Sequence, residues 1–514
     1  MSASPQDPVE PGTPWQRLDR RTVLVTACVT VGVAGGAGLP TLLGLAGGMP
    51  LGQALGWVLA GAALVIAAGT GADYVRWRRT RYRIGPERAE LHTGLLLVKQ
   101  RSLARERIRS VDLTANVLLR VLGLVQVRIG TGEQTGGGES TLELDAVTRA
   151  EGERLRTALL SRAAAGPPGT HREGLLASLD PGWIRYAPVS FVAPVLGGTA
   201  VGSVMQVSEW FGAQGEVIDW VGDRFRDTPV VWMIVVSAAA ALAAGVIGAL
   251  GLWIEMWWNY RLEREPGGTL RVRRGLFTAR STSIEERRLR GVELVEPLGV
   301  RLFGAARVDA VATGLVGDGE DEGAAHRTLL PAVPREVASE VAAQVLREAT
   351  APTVAARLTA HPRAARGRRL RWALVTALLP VAVLALLGTL LTPVLLYIAA
   401  ACAVVAVPAA VLLALDAYRS LGHGISGDYL VARSGTMRRT TVALQRSGVI
   451  GWTVKQSFFQ RRVGLSTLTA TTAAGTGAYD VYDAAEGEVL AFAADAVPGV
   501  LEPFLEGGGR PGRR

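Results

Sequence analysis

Six long apolar stretches, arranged in three pairs, dominate the pattern of hydrophobic and polar positions along this chain. Each stretch is almost free of Asp, Glu, Lys and Arg and reaches the length of about 20 residues that a membrane-spanning helix needs. The pairs predict three transmembrane hairpins, at residues 22–72, 184–257 and 372–415. The first stretch is longer than the apolar core of a signal peptide, and a second one follows at once. We therefore expect it to stay in the protein.

A more polar segment follows each hairpin, and in it short β-favouring runs alternate with turn residues. The first segment has such runs at 95–98, 108–113, 125–129 and 141–144, and then an amphipathic helical pattern up to Leu160. A small β-rich domain closed by a helix is therefore predicted after each hairpin. The predicted division of the chain is: disordered tail 1–21, hairpin 22–72, β-domain 82–162, linker 163–182, hairpin 184–257 with an outer loop at 208–228, β-domain 260–348, linker 351–371, hairpin 372–415, β-domain 418–505 and tail 506–514.

The three β-rich segments are copies of one unit, because the same residues return at the same spacing. Positions 13 residues apart match without a gap in the three copies: Gly94, Arg107 and Arg120; Gly275, Arg288 and Arg301; Gly435, Gly448 and Arg461. Self-similarity at a fixed long period indicates a repeated structural unit. The sequence thus predicts a threefold internal repeat of integral membrane helical hairpins combined with small β-rich domains.

Positive charge sets the expected orientation in the membrane. The formal net charge is +10, and arginines cluster beside the apolar stretches at 17–21, 76–83 and 363–371. By the positive-inside rule, these clusters place both termini and all three β-domains in the cytoplasm, in a multi-pass protein of the bacterial plasma membrane. We therefore expect membrane lipids, and no nucleic acid, as partners. The membrane-flanking basic residues are Arg76, Arg78, Arg79, Arg368, Arg369 and Arg371.

The sequence lacks the arrangements that are typical of catalysis or metal binding. The five histidines form no HExxH pattern, and neither a GxSxG nor a phosphate-binding GxxxxGK[ST] pattern occurs. The acidic loop at 318–322 lacks the alternate spacing of a calcium loop. The two cysteines, at 28 and 402, lie within apolar stretches. We therefore expect no enzymatic activity, no catalytic residues, no metal and no cofactor.

Two groups of charged residues are candidates for function. Guanidinium groups suit lipid phosphates or the carboxylates of a partner, and four arginines recur in the first two β-domains: Arg107, Arg109, Arg288 and Arg290. The alternative is that these arginines pair with neighbouring acids such as Glu106 or Glu286. The second group lies at the ends of apolar stretches, where an acid is either a helix-end residue or a functional group: Asp73, Glu255 and Asp416.

The repeated motifs resemble those of a known bacterial family. They are a Gly-Leu turn at 94–95 and 275–276, an R-[IL]-R-x-V-[DE]-L strand at 107–113 and 288–294, and an R-x-[LF]-G segment at 120–123 and 301–304. In these features the chain is similar to the bacterial pleckstrin-homology-like (PH-like) family labelled DUF304 or bPH2, and as a whole it looks like the YdbT-type membrane proteins. The resemblance implies a bent β-sheet closed by a C-terminal helix, and no catalytic residues. The third copy departs from the motif at Gly448, Ile450 and Trp452.

These observations predict a non-enzymatic, membrane-anchored scaffold that presents three PH-like domains at the inner face of the membrane. Its partners would be lipid headgroups, another protein or further copies of itself. The alternative is a transporter or exporter component in which the β-domains regulate transport. Transporters usually place charged or polar residues near the middle of the membrane. These apolar stretches are instead rich in glycine and alanine, which favours helix packing.

Overall fold

The computed structural model forms two compact units, each described here by itself. Unit one comprises residues 1–179 and 191–285, and unit two comprises residues 180–190 and 286–514. The predicted strand at 95–98 and the acidic loop at 318–322 lie outside the described residues. The structure describes residues 14–94, 99–108, 110–130, 141–161, 174–190, 192–210, 212–226, 228–314 and 326–500.

Unit one begins with a helical hairpin and two small antiparallel sheets that share one core. Tyr82 and Leu91 of the first sheet, Val111 and Leu124 of the second, and Leu155 of the closing helix are all buried in this core. The first sheet has the strand order β1-β2-β3-β4. The first repeat contributes the three strands β5, β6 and β7 to the second sheet. The elements are β1 (Gln16–Arg17), α1 (Thr22–Ala46), α2 (Leu51–Arg79), β2 (Arg81–Ile84), β3 (Arg88–Thr93), β4 (Lys99–Ala104), β5 (Ser110–Ala115), α3 (Val117–Val121), β6 (Leu124–Gly130), β7 (Thr141–Thr148) and α4 (Arg149–Ser161).

The second repeat extends the second of these sheets. Its strand β11 pairs antiparallel with β5, which gives a seven-stranded sheet in the order β7-β6-β5-β11-β10-β9-β8. Strand β8 lies within the predicted linker 163–182 and forms the far edge of this sheet. The added elements are β8 (Gly174–Ser178), α5 (Val192–Trp210), α6 (Gln214–Arg224), α7 (Val230–Trp257), β9 (Arg261–Glu265), β10 (Thr269–Arg274) and β11 (Ala279–Glu285).

Unit two has the same organisation, formed by the second half of the second repeat and by the third repeat. A six-stranded sheet, β14-β13-β12-β17-β16-β15, joins the second repeat to the third, and the sheet β18-β19-β20 completes the third. Helix α11 begins at Arg363, inside the predicted linker 351–371. The elements are β12 (Leu289–Pro297), α8 (Leu298–Leu302), β13 (Ala305–Ala312), β14 (Thr328–Pro334), α9 (Arg335–Leu346), α10 (Pro352–Ala355), α11 (Arg363–Leu390), α12 (Val394–Arg419), β15 (Gly422–Ser426), β16 (Tyr429–Ser434), β17 (Arg438–Gln445), β18 (Val449–Lys455), α13 (Phe458–Arg461), β19 (Leu465–Thr472), β20 (Ala478–Ala485) and α14 (Glu486–Ala496).

The two joining sheets have the same strand register. Ser110 of β5 faces Ile284 of β11, and the corresponding residue of β12, Gly291, faces Leu444 of β17. Ser110 corresponds to Gly291 when the repeats are aligned on Gly94 and Gly275, and Ile284 corresponds to Leu444 when they are aligned on Gly275 and Gly435. The repeat is therefore a repeat of strand pairing between neighbouring copies as well as of sequence.

Five of the described helices are long and apolar enough to cross a membrane: α1, α2, α7, α11 and α12. Helix α5 is not among them. Its 19 residues are shorter than any of the five and carry Gln206 and Glu209 near the end. It nevertheless packs closely on α7, because a side chain at Gly197 or Gly245 would collide with a backbone carbonyl of the other helix. Such contacts through small residues are common between membrane helices.

Candidate functional site

The repeated arginines in unit one and unit two lie near short 3-10 turns. Arg107 ends the turn Arg105–Arg107 and its side chain is exposed, whereas Arg109 lies outside the described residues. In unit two, Arg288 and Arg290 are both half-buried. Of the three described arginines, Arg107 is therefore the one in the exposed class.

Glu286, the acid that could pair with the arginines of the second repeat, pairs with an arginine at the end of helix α9. Its carboxylate forms an ion pair with Arg347 at 2.5 Å. Arg347 has a left-handed backbone conformation (φ 60°) where α9 ends. A helix commonly ends on a residue in this conformation, and a cation there also suits the helix dipole. The ion pair thus fastens the end of α9 to the turn before β12.

Gly448 replaces the first arginine of the motif in the third repeat, and its surroundings explain the replacement. The aliphatic stem of Arg290 packs over it, so that a Cβ at Gly448 would lie 3.2 Å from the Cδ of Arg290. A long side chain at this position would have to displace that stem. Packing against the preceding repeat is therefore a sufficient reason for the loss of the arginine.

Asp73 joins the two helices of the first hairpin at their basic end. Its carboxylate accepts a hydrogen bond from the hydroxyl of Thr26 at 2.7 Å and pairs with Arg76 at 3.1 Å. Arg76 also pairs with Asp145 of β7 at 3.1 Å. Because burial raises the pKa of Asp145, this cation helps to keep its carboxylate charged. The three charged groups link the helix end to the first β-domain.

Glu255 and Asp416 also link a helix end to the β-domain that follows it, but they do so through the glycine turn of that domain. Glu255 accepts hydrogen bonds from the backbone N–H groups of Phe277 (2.8 Å) and Thr278 (2.9 Å), in the turn between β10 and β11. Asp416 accepts from Thr436 at 2.8 Å, in the equivalent turn between β16 and β17. Hydrogen bonds to a charged group contribute about 1.5–3 kcal/mol each. These contacts favour the interpretation of the three acids as helix-end residues.

The arginine of the R-x-[LF]-G segment reaches from one repeat to the next, a role that the sequence did not reveal. Arg120 donates to the carbonyl of Leu276, in the glycine turn of the second repeat. Its equivalent, Arg301, pairs with Asp416 of the third repeat at 2.7 Å. The signal available in the sequence was the recurrence of this arginine at a fixed distance from the turn glycine.

The membrane-flanking arginines fall into two groups. Arg78 and Arg371 are exposed, as expected of residues near a membrane surface. Arg368 and Arg369 instead pair with the buried carboxylate of Asp483, at 2.5 Å and 3.3 Å. Asp483 has a positive φ of 57° and is fully buried. These two arginines therefore anchor α11 to the third β-domain.

Among the described residues there is no group of three or more His, Cys, Asp and Glu side chains that could hold a metal. Two histidines of unit two do meet, since the rings of His361 and His423 lie 5.1 Å apart, centroid to centroid. Burial, with smaller contributions from His423 and Arg369, lowers the pKa of His361 to about 4. Burial also lowers the pKa of His423. Both rings are therefore neutral at physiological pH.

Comparison with known proteins supports the repeat directly. The sequence profile of the Bacterial PH domain family matches the chain three times, at residues 38–163, 200–349 and 376–494. The chain is 24% identical over 417 residues to the UPF0699 transmembrane protein YdbT of Bacillus subtilis (strain 168), covering 78% of this chain and 81% of that protein. No solved structure matches significantly. The chain therefore belongs to the bacterial PH domain family, as a membrane protein that carries three copies of the domain.

Proposed function

We propose that the chain is a non-enzymatic membrane-anchored scaffold whose three PH-like domains bind a protein partner at the inner face of the bacterial plasma membrane. The observation that carries this proposal is the pairing of strands between successive repeats. Strands β5 and β12 each receive the third strand of the next repeat along their free edge. The corresponding strand of the last repeat, β18, is an edge of its sheet, and no described strand pairs with its other side.

The free edge of β18 has the character of a binding surface. Ile450 is 66% exposed and Val454 is 43% exposed, and the adjoining helix α13 exposes Phe458 and Phe459. An open edge presents unpaired backbone N–H and C=O groups, to which an extended segment of another chain can add a strand. The two internal examples give the geometry that such a strand would adopt.

The partner strand is expected to come from a different protein. In the register of the two internal examples, a second copy of this chain would add its edge strand β4 and place Lys99 directly opposite Lys455. Like charges directly opposite each other destabilise a strand pair. A partner with an acidic or neutral residue at that position would avoid this repulsion.

The orientation rests on the arginine clusters that flank the helices, because positively charged residues are retained on the cytoplasmic side. We expect a cysteine introduced at Thr476, in an exposed turn of the third β-domain, to be protected from a membrane-impermeant maleimide in intact spheroplasts. A cysteine at Asp219, exposed on helix α6 between α5 and α7, should be labelled. Cys28 and Cys402 are replaced by alanine beforehand. Labelling at 476 without permeabilisation would contradict the proposed orientation.

A photo-crosslinking amino acid at Ile450 or Val454 tests the binding edge in native membranes. We expect a crosslinked product with a distinct protein from both positions. Tyr482, which is 40% exposed on β20, is the matched control and should give no such product. A crosslinked homodimer from Ile450 would show that a second copy occupies the edge, and absence of any product from either position would contradict the proposal.

A further inference from the structure

A buried carboxylate lies in unit two where β12 and β17 run side by side. Glu296 faces Arg439 across the two strands, and the guanidinium binds both carboxylate oxygens (Nε–Oε2 2.9 Å, Nη2–Oε1 2.8 Å). The same carboxylate lies 3.7 Å from Nε of Arg335, the first residue of α9. Glu296 is only 1% exposed. The chain thus supplies its own anion to arginines that come from two successive repeats.

Alanines occupy the corresponding positions of unit one. Ala115 of β5 faces Ala279 of β11, in the place of Glu296 and Arg439. A cavity of about 560 Å³ opens there, and both alanines line it. A cavity of this size accommodates a small ligand. The internal carboxylate of unit two therefore has no counterpart in unit one.

Of the two arginines that bind Glu296 in unit two, Arg439 is replaced by Ala279 in unit one and Arg335 has a counterpart. Arg149 begins α4 and donates its backbone N–H to the carbonyl of Gly123, as Arg335 does to that of Gly304, so Arg149 corresponds to Arg335. Arg273 and Arg280, on β10 and β11, line the same cavity. Within the described part of the chain, none of Arg149, Arg273 and Arg280 makes a side-chain hydrogen bond or ion pair.

The acid that does reach the cavity is already engaged. Glu153 pairs with Arg271 at 2.6 Å and with Arg156 at 3.0 Å. Burial and, to a smaller extent, the positive charge of Arg271 lower the pKa of Arg273. Neighbouring carboxylates, Glu153 among them, act in the opposite direction without outweighing these effects. The positive charge of Arg271 and Arg273 is therefore only partly balanced. A bound anion would balance this charge, as Glu296 does in unit two.

We infer that this cavity binds a phosphate group, and that the headgroup of an anionic phospholipid supplies it. Guanidinium groups bind phosphate oxygens bidentately and keep their charge at any physiological pH. The cavity lies beside the end of a candidate membrane span, since Asn259 in its lining follows α7 by two residues. Trp258, which directly follows α7, is 45% exposed, and exposed tryptophan rings at the end of a membrane span favour the level of the headgroups. The inference requires the β-domain to lie against the membrane but is independent of the protein partner and of β18.

The purified full-length protein tests this site by native mass spectrometry in detergent. Phosphatidylglycerol and phosphatidylcholine of equal chain length are titrated separately. We expect one phosphatidylglycerol to bind at least tenfold more tightly than phosphatidylcholine. Ala115→Glu introduces the carboxylate that unit two carries and should reduce this preference by tenfold or more. Ala115→Gln has the same size without the charge and should keep the preference within about threefold, since neutral hydrogen-bonding groups are weaker ligands of arginine.

A second variant gives a test that does not depend on whether the Ala115 variants fold. Arg273→Gln/Arg280→Gln should also abolish the preference, with a melting temperature close to that of the unaltered protein. Inorganic phosphate, added at millimolar concentration without lipid, distinguishes the source of the phosphate group. Stabilisation by phosphate that Ala115→Glu removes, without a preference for phosphatidylglycerol, would support the anion site and overturn the lipid source. Equal binding of both lipids and no response to phosphate would overturn the inference altogether.

Discussion

The two sheets that join successive repeats share one backbone register, but different side chains hold them together. In unit one the contact is ionic: Arg156 of α4 pairs with Glu265 of β9 at 2.7 Å, and Arg271 of β10 pairs with Glu153 of α4 at 2.6 Å. Arg271 also pairs with Glu265 at 3.0 Å. Both arginine side chains are buried, at 9% and 4% exposure. The network connects the closing helix of one repeat to strands of the next.

In unit two the positions that correspond to the two arginines are apolar. When α4 and α9 are aligned on their first arginine, Arg156 corresponds to Ala342, and Arg271 corresponds to Val431 by its distance from the turn glycine. Ala342 is 1% exposed and Val431 is fully buried. The same strand pairing is therefore compatible with a buried ionic network and with close apolar packing. Buried ion pairs often contribute no more to stability than an apolar replacement would, because both charges must be taken out of water.

The largest difference between the sheets is expected at the first paired residue of β5 and β12. A Cβ at Gly291 would collide with the backbone carbonyl of Ala443, whereas the equivalent residue in unit one, Ser110, already carries a side chain and is buried. We expect Gly291→Ser to destabilise unit two by more than about 4 kcal/mol, as overpacking against backbone does in its severe cases. Ser110→Gly should cost only about 1 kcal/mol. Calorimetry of the purified protein measures both, and equal effects would show that the two sheets do not differ here.

The ionic network gives the next largest effect. Arg271→Val alone removes a partner from Glu153 and Glu265, whose side chains are 36% and 23% exposed. Because these carboxylates are only partly buried, we expect a cost of about 3 kcal/mol, the lower end of the range for breaking a buried pair. Adding Glu153→Ser, Arg156→Ala and Glu265→Ile, the residues at the corresponding positions of unit two, should restore most of this loss. The thermal transition of unit one reports the result. If the fourfold variant is less stable than Arg271→Val, the network makes a net contribution that apolar packing cannot replace.

The sequence was sufficient to predict the repeat, the long apolar helices and the closing helices. Arg149–Ser161 and Arg335–Leu346 form where an amphipathic pattern was expected, because helical periodicity is a local signal. The strand β7 (Thr141–Thr148) extends beyond the predicted run at 141–144. The second half of β7 is held in a strand conformation by its hydrogen bonds to β6, and a single sequence does not reveal this pairing.

The sharing of sheets between repeats could not be predicted, for a physical reason. The residues of β5, β11, β12 and β17 show only that each strand is partly buried, and burial does not specify which strand lies alongside. The short strand β8 was predicted as linker because its composition does not favour a strand. It forms a strand because it pairs with β9. The roles of Arg120 and Arg301 depend on the same pairing. A local sequence pattern does not reveal long-range contacts of this kind.

The smallest of the expected differences concerns pH. In unit two, burial lowers the pKa of His361 to about 4, against an ordinary value near 6.5. The unfolded chain therefore binds a proton at pH 5 that the folded one does not, and this histidine should cost unit two about 2 kcal/mol of stability at pH 5 relative to neutral pH.

In unit one, burial raises the pKa of Glu153 and Glu265, but hydrogen bonds from arginines outweigh it and leave both values below normal. Their contribution is present above the ordinary pKa of a glutamate, near 4.3, and is lost only below it. His361 should therefore make unit two lose stability first as the pH falls from 6.5 to 5, against the opposing effect of Glu293, whose pKa burial raises. His361→Phe, which removes the titrating ring and keeps an aromatic one, should reduce that loss. Calorimetric transitions measured at half-unit intervals of pH test this order, and an unchanged slope in His361→Phe would assign the acid sensitivity to another group.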